Sequence, residues 1–113
     1  MLDSKTIGDL ARELFQARKT RTQTRHFSQR FPALTADDGY ALQRDWAKLE
    51  QADGRFIKGH KIGLTSRAMQ QASQITEPDF GPLMDDMFFE AGGDIGFHHF
   101  IAPRVEVELA FIL

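Results

Sequence analysis

The chain has 113 residues, 42% hydrophobic and 27% charged, which suits one soluble globular unit with a modest core. A formal net charge of −2 gives no overall electrostatic pull toward nucleic acid or anionic lipid. The absence of cysteine removes disulfides, thiolate metal sites and thiol nucleophiles. No signal-peptide core and no run near about 18 apolar residues is present, so the expectation is a cytoplasmic protein with no membrane partner.

Ile7, Leu10, Ala11, Leu14 and Phe15 recur at helical spacing and predict an amphipathic helix from about Ser4 to Arg18, with Asp3 or Ser4 as its cap. A basic stretch follows from Arg18 to Arg30 and ends at Phe31-Pro32, where a helix cannot easily continue. It holds one aromatic, Phe27, and the rest of the chain offsets its charge, so it reads as a solvated helix end and loop with no nucleic-acid partner. Thr35-Ala36-Asp37-Asp38 has the spacing of a capping box, and Leu42, Trp46 and Leu49 supply the apolar stripe of a second long helix. Gly54 is its natural stop.

The pattern changes after Gly54. Arg55 to Leu64 carries β-type residues interrupted by Gly59 and Gly63, and reads as a short strand or a bulged strand. Thr65 or Ser66 can cap a brief helix through about Ser73. Thr76 to Pro82 is rich in turn residues and reads as a loop, Met87-Phe88-Phe89 as a strand, and Gly92-Gly93-Asp94 as a turn. Val105 to Leu113 is expected to be a strand buried on both faces. It is apolar and has no turn, cap or polar tail, so a continuation that pairs with it is expected.

Alternation along that last strand sets Glu106 and Glu108 on one face, roughly 7 Å apart. Two carboxylates near a core repel each other and lose hydration, which a hard divalent cation relieves. The open alternative is a solvated Glu-x-Glu edge. Lys61, between Gly59 and Gly63, can be a general base or a fixed charge for a carboxylate, or a surface lysine lying along its own stem. His60 is either a catalytic contact or an ordinary hydrogen-bonded histidine. Asp79 is either a proton-handling group or a turn residue, and Asp85-Asp86 reads as a solvated or capping pair.

Four segments occur here in a fixed order: Lys58-Gly59-His60-Lys61-Ile62-Gly63-Leu64-Thr65, Glu77-Pro78-Asp79-Phe80-Gly81, Asp85-Asp86-Met87-Phe88-Phe89 and Pro103 to Phe111. As an ordered set they resemble the 2-hydroxy-dienoate hydratases of the fumarylacetoacetate hydrolase superfamily. The resemblance implies an α+β chain, with a helical N-terminal region (1–54) before the truncated start of a mostly β, roll-like catalytic domain (55–113). It implies Glu106 and Glu108 as ligands of Mg²⁺ or Mn²⁺, with a third carboxylate beyond Leu113. Lys61 and Asp79 match the proton-handling positions, with His60 as a further polar contact. The implied activity is hydration of a small dicarboxylate from aromatic catabolism by a homo-oligomer, and this segment alone is expected to be inactive. The competing readings are a decarboxylase or C–C hydrolase of the same superfamily, or a binding module without a metal.

Overall fold

Asp3 opens the first helix, α1 (Ser4–Thr20), its carboxylate accepting from the Thr6 N–H, and Arg21 closes the helix in a left-handed conformation. All residues 1–113 are described in this computed structural model. The single turn α2 (Phe27–Arg30) ends ahead of Pro32. The long helix α3 (Ala36–Ala52) carries the capping box that the sequence announces: the Asp38 N–H donates to the Thr35 hydroxyl, and the Thr35 N–H donates to the Asp38 carboxylate. Ile7, Leu10 and Ala11 of α1 pack on Leu42 of α3, with Trp46 and Leu49 partly buried beside them. This is the apolar core, and it sits between the helices.

Asp38 does more than cap. It also accepts from the Leu2 N–H at 3.1 Å, which fixes the start of the chain to α3. The backbone donor of Thr35, chiefly, and that of Leu2 hold its carboxyl below the usual carboxylate range.

The second half is a three-stranded antiparallel sheet in the order β2-β1-β3, made of β1 (Ile57–Gly63), β2 (Asp79–Met84) and β3 (Leu109–Ile112). On β1, Lys61 pairs with Gly81 on one side and Ala110 on the other, while Gly63 pairs with Asp79. The expected bulge lies between Ile57 and Gly59. At Gly59 a side chain would collide with the Phe111 backbone carbonyl, so this glycine serves the closure of β3 on β1. The short helix α4 (Arg67–Ser73) links β1 to β2 and is capped by Ser66. The architecture is α+β, helices first.

Three expectations are corrected. Residues 79–82, read as loop, open β2: Pro82 is tolerated because β2 is an edge strand, where a missing N–H can face away from the ladder. Met87-Phe88-Phe89 is not a strand, and a 3₁₀ turn spans Asp85–Met87 instead. The last strand is shorter than expected and is not buried on both faces, since Val105 and Val107 are 97% and 100% exposed. Its apolar run is satisfied on one edge only, by β1.

An ion network fastens the helical half to the sheet. Glu50 of α3, 1% exposed, accepts a hydrogen bond from Arg18 at 3.0 Å and forms an ion pair with Arg55 at 3.0 Å. Both arginines also hold Asp86 at 2.8 Å, and Arg55 reaches Asp53 at 2.7 Å. Burial raises the Asp86 carboxyl, but the Arg55 and Arg18 contacts outweigh it and leave it below its ordinary value. Asp85, its neighbour, accepts from the Phe56 N–H at 3.0 Å. The Asp85-Asp86 pair therefore joins elements while Asp86 stays partly exposed to solvent.

Removing the buried charge by Glu50→Gln should lower unfolding free energy by about 2 kcal/mol, since the charge-assisted bond from Arg18 and the ion pair with Arg55 weaken. Chemical denaturation with both variants at neutral pH measures it. The folded carboxyls of Asp38, Asp53, Asp86 and Glu13 all lie below their ordinary values. Their contribution is present above the unfolded carboxylate range and disappears as pH falls through the folded values. The thermal midpoint should therefore hold near neutrality and fall below about pH 4–5, and Asp86→Asn should flatten that fall.

Candidate active site

Side chains alternate along β1, so Lys61 and Gly63 share one face. The neighbours of Lys61 across the strands are Gly81 and Ala110, two residues too small to obstruct a long side chain. Gly63 has Asp79 on one side, and the β3 register carried one step further sets Glu108 on the other. Asp79, Gly63 and Glu108 thus form one row across the sheet. Both carboxylates lean over the glycine: a Cβ placed there would lie 2.6 Å from Asp79 Oδ1 and 2.9 Å from Glu108 Oε1. Only glycine leaves that space open.

Lys61 reaches toward the same space, its Nζ 3.6 Å from Asp79 Oδ1 and 3.8 Å from Glu108 Oε2. Both separations exceed a hydrogen bond. Asp79 Oδ1 is buried and has no hydrogen-bond partner, although the rest of its side chain is 44% exposed. The Glu108 side chain is 29% exposed while its residue as a whole is open. A buried acceptor without a donor costs free energy, so this corner favours a ligand with positive charge or a hydrogen to donate.

A cleft of about 780 Å³ collects these groups, and Glu106, Arg104, Thr65, Ser66 and Ser73 also line it. Four of the five sequence-derived site residues, Lys61, Asp79, Glu106 and Glu108, therefore come together. His60 does not. It occupies the alternate position on β1, opposite Pro82 and Phe111, and takes no part in the cleft wall. Gly63 makes room for two carboxylates. Sequence reasoning missed Arg104 in this setting. The signal was available, because Arg104 keeps the same two-residue period as Glu106 and Glu108.

The fold behind the site is anchored by α3. Tyr40 stacks on Phe80 with ring centroids 4.7 Å apart, and Gln43 Nε2 donates to the Phe80 carbonyl at 3.2 Å. A side chain at Gly81 would meet Gln43 Nε2 at 3.0 Å and Lys61 Cε at 3.7 Å, so α3, β2 and the Lys61 stem are closely fitted.

A divalent cation fits the chemistry of this donor set. Glu108 Oε1 offers a hard carboxylate oxygen, Glu106 lies along the same cleft, and the unpartnered Asp79 Oδ1 adds negative charge beside them. These residues are only part of a cation's shell, since no group of three or more acidic, histidine or cysteine side chains closes around one point.

This pairing of carboxylates with a lysine on a small sheet is accompanied by a clear sequence relationship: the chain is similar to curated hydratases of 2-oxo-hept-4-ene-1,7-dioate, 2-keto-4-pentenoate and 2-hydroxyhexa-2,4-dienoate. Over all 113 residues it is 56% identical to the 2-oxo-hept-4-ene-1,7-dioate hydratase of Escherichia coli, of which it spans 42%. It is 37% identical over 105 residues to the 2-keto-4-pentenoate hydratase of Paraburkholderia xenovorans (strain LB400), covering 93% of this chain and 39% of that one. The chain thus spans less than half the length of these curated relatives. No protein-family profile matches it. Among solved structures, the 4-oxalocrotonate decarboxylase from Pseudomonas putida G7 superposes with a TM-score of 0.73 at 28% identity, over 76% of this chain and 33% of that one. That enzyme was crystallised with calcium and acetate and with magnesium and adipate. No helix of the chain is long and apolar enough to cross a membrane.

Gly63→Ala should leave the helical signal and thermal midpoint nearly unchanged, because the atoms it displaces are side-chain tips. It should push Asp79 and Glu108 apart and weaken Mn²⁺ binding by about tenfold or more, a ligand-geometry effect of the size seen for supporting residues. Gly59→Ala, which meets backbone, should instead disturb the sheet. Circular dichroism and Mn²⁺ titration of the two variants separate these outcomes.

Proposed function

We propose that this chain forms the first part of a cytoplasmic, divalent-metal-dependent hydratase acting on a 2-hydroxy-2,4-dienoate that carries a second carboxylate. The product is a 4-hydroxy-2-oxo acid, and the setting is aromatic breakdown of the 4-hydroxyphenylacetate (homoprotocatechuate) type. The observation that carries the reading is the convergence of Asp79 and Glu108 over Gly63 with Lys61 between them. The hydratase names of the relatives support it, as does the metal in the solved neighbour.

In this reading residues 1–54 brace the site and residues 55–113 begin a mostly β, roll-like catalytic domain in a homo-oligomer. Glu106 and Glu108 would hold Mg²⁺ or Mn²⁺. When bound, such a cation supplies Lewis acidity to the 2-oxygen and carboxylate end of the substrate. Asp79 and Lys61 handle protons. The proton on the 2-hydroxyl leaves and carbon 5 gains one, giving a conjugated 2-oxo-3-enoate. Water oxygen then bonds to carbon 4, its released proton passes to a basic side chain, and carbon 3 is protonated, so one water is consumed in all. The unpartnered Asp79 Oδ1 suits the acceptor role, and the Lys61 ammonium suits the donor role at carbon 3. Arg104, in the lining of the cleft, bears a charge suited to an anionic substrate.

A decarboxylase is the second reading, favoured by the solved neighbour being one. Turnover of 2-hydroxyhepta-2,4-dienedioate by the full-length enzyme discriminates: loss of diene absorbance without carbon dioxide release supports hydration, and carbon dioxide release supports the rival. Glu106→Gln and Glu108→Gln should each lower Mg²⁺-dependent turnover by more than the roughly 10–100-fold typical of losing an outer-shell partner. Full activity of both variants at saturating Mg²⁺ would remove the ligand assignment.

A further inference from the structure

We propose that Lys61 has a second role, as the resident counter-ion of the cation site: it opposes binding of the divalent cation alone and thereby couples cation binding to the arrival of an anionic substrate. The proposal rests on the metal-site reading above and concerns the order and interdependence of assembly, which that reading leaves open.

The geometry points to this role in three ways. The ammonium stands 3.6 Å from Asp79 Oδ1 and 3.8 Å from Glu108 Oε2, so its one charge offsets half of that carried by the two carboxylates that lean over Gly63. Neither separation is a hydrogen bond, so charge alone holds it there and nothing locks the side chain in place. Its flanking residues, Gly81 and Ala110, are small, and its side chain is one-third exposed, so an anion in the cleft can reach it. The ammonium thus occupies the place of positive charge without a hydrogen bond to either carboxylate.

A dication entering this space meets a like charge a few ångströms away, at close range where screening by salt is small. An incoming carboxylate changes the balance by offering Lys61 a new partner, which draws the ammonium from Asp79 and Glu108 and frees their oxygens. By linkage the effect is reciprocal, so the cation favours the anion by the same factor. Arg104 shares the cleft but makes no ion pair with Asp79, Glu106 or Glu108, so it does not duplicate this role.

The test is titration of the full-length protein with Mn²⁺ followed by electron paramagnetic resonance, first with the metal alone and then with saturating oxalate as the chelating anion. In the unsubstituted protein, oxalate should tighten Mn²⁺ binding by about tenfold or more. Lys61→Met should bind Mn²⁺ alone about tenfold more tightly, and oxalate should add little. Lys61→Arg, which keeps the charge, should retain the weak binding of Mn²⁺ alone and separates charge from packing. Equal or weaker binding of Mn²⁺ alone by Lys61→Met, with Glu108→Gln impaired, overturns the counter-ion role and leaves the site intact. Mn²⁺ binding that Glu108→Gln does not affect overturns the site reading and this proposal together.

Discussion

The lateral register of the sheet governs everything at the site. With β1 in the middle, antiparallel pairing on both sides sets Asp79, Gly63 and Glu108 abreast and Gly81, Lys61 and Ala110 abreast one step away. A slip of one residue on either side would turn a carboxylate to the opposite face, because side chains alternate. The two rows are complementary: one has acids flanking a glycine, and the other has small residues flanking a lysine. The space over Gly63 and the charge that occupies it arise from the same pairing.

That register is held from outside the sheet. The sheet has little core of its own, with Met84 as its one fully buried large apolar residue, while the helices hold the main cluster. Specific contacts compensate. Tyr40 and Gln43 of α3 fix Phe80 next to Asp79, and the Glu50 network fixes both ends of the segment between Arg55 and Asp86. Breaking the buried Glu50 contacts leaves two arginines short of a partner, which is why a polar joint can be as consequential here as an apolar one. The helical region is thus the mount on which the β1–β2 hairpin is aligned.

Much of this was legible from residues. Asp3 and the Thr35–Asp38 box announced two helices, because local caps need no tertiary context. The glycine-broken strand and the Ser66 cap were legible for the same reason. β2 was hidden because Gly81 and Pro82 are local turn signals whose actual roles, making room for Lys61 and standing on a sheet edge, are set by distant partners. The Glu50 network was equally hidden, since Arg18 and Asp86 meet across 68 residues. At the site, residue type and order picked out Lys61, Asp79, Glu106 and Glu108. The place of Gly63 needed the pairing, and the position of His60 outside the cleft wall needed the strand's phase.

The sheet's two margins are unequal. One lies against α3, where Gln43 already binds the Phe80 carbonyl, whereas the far side of β3 faces solvent with its apolar Leu109, Phe111 and Ile112 exposed. Growth of the ladder is therefore directional. Any strand that joins must do so beside Glu108, and alternation then hands one of its side chains to the same row as Asp79, Gly63 and Glu108. A strand added on that margin would therefore set one of its side chains beside two acids and a glycine, so what the open edge pairs with also decides the chemistry of that row.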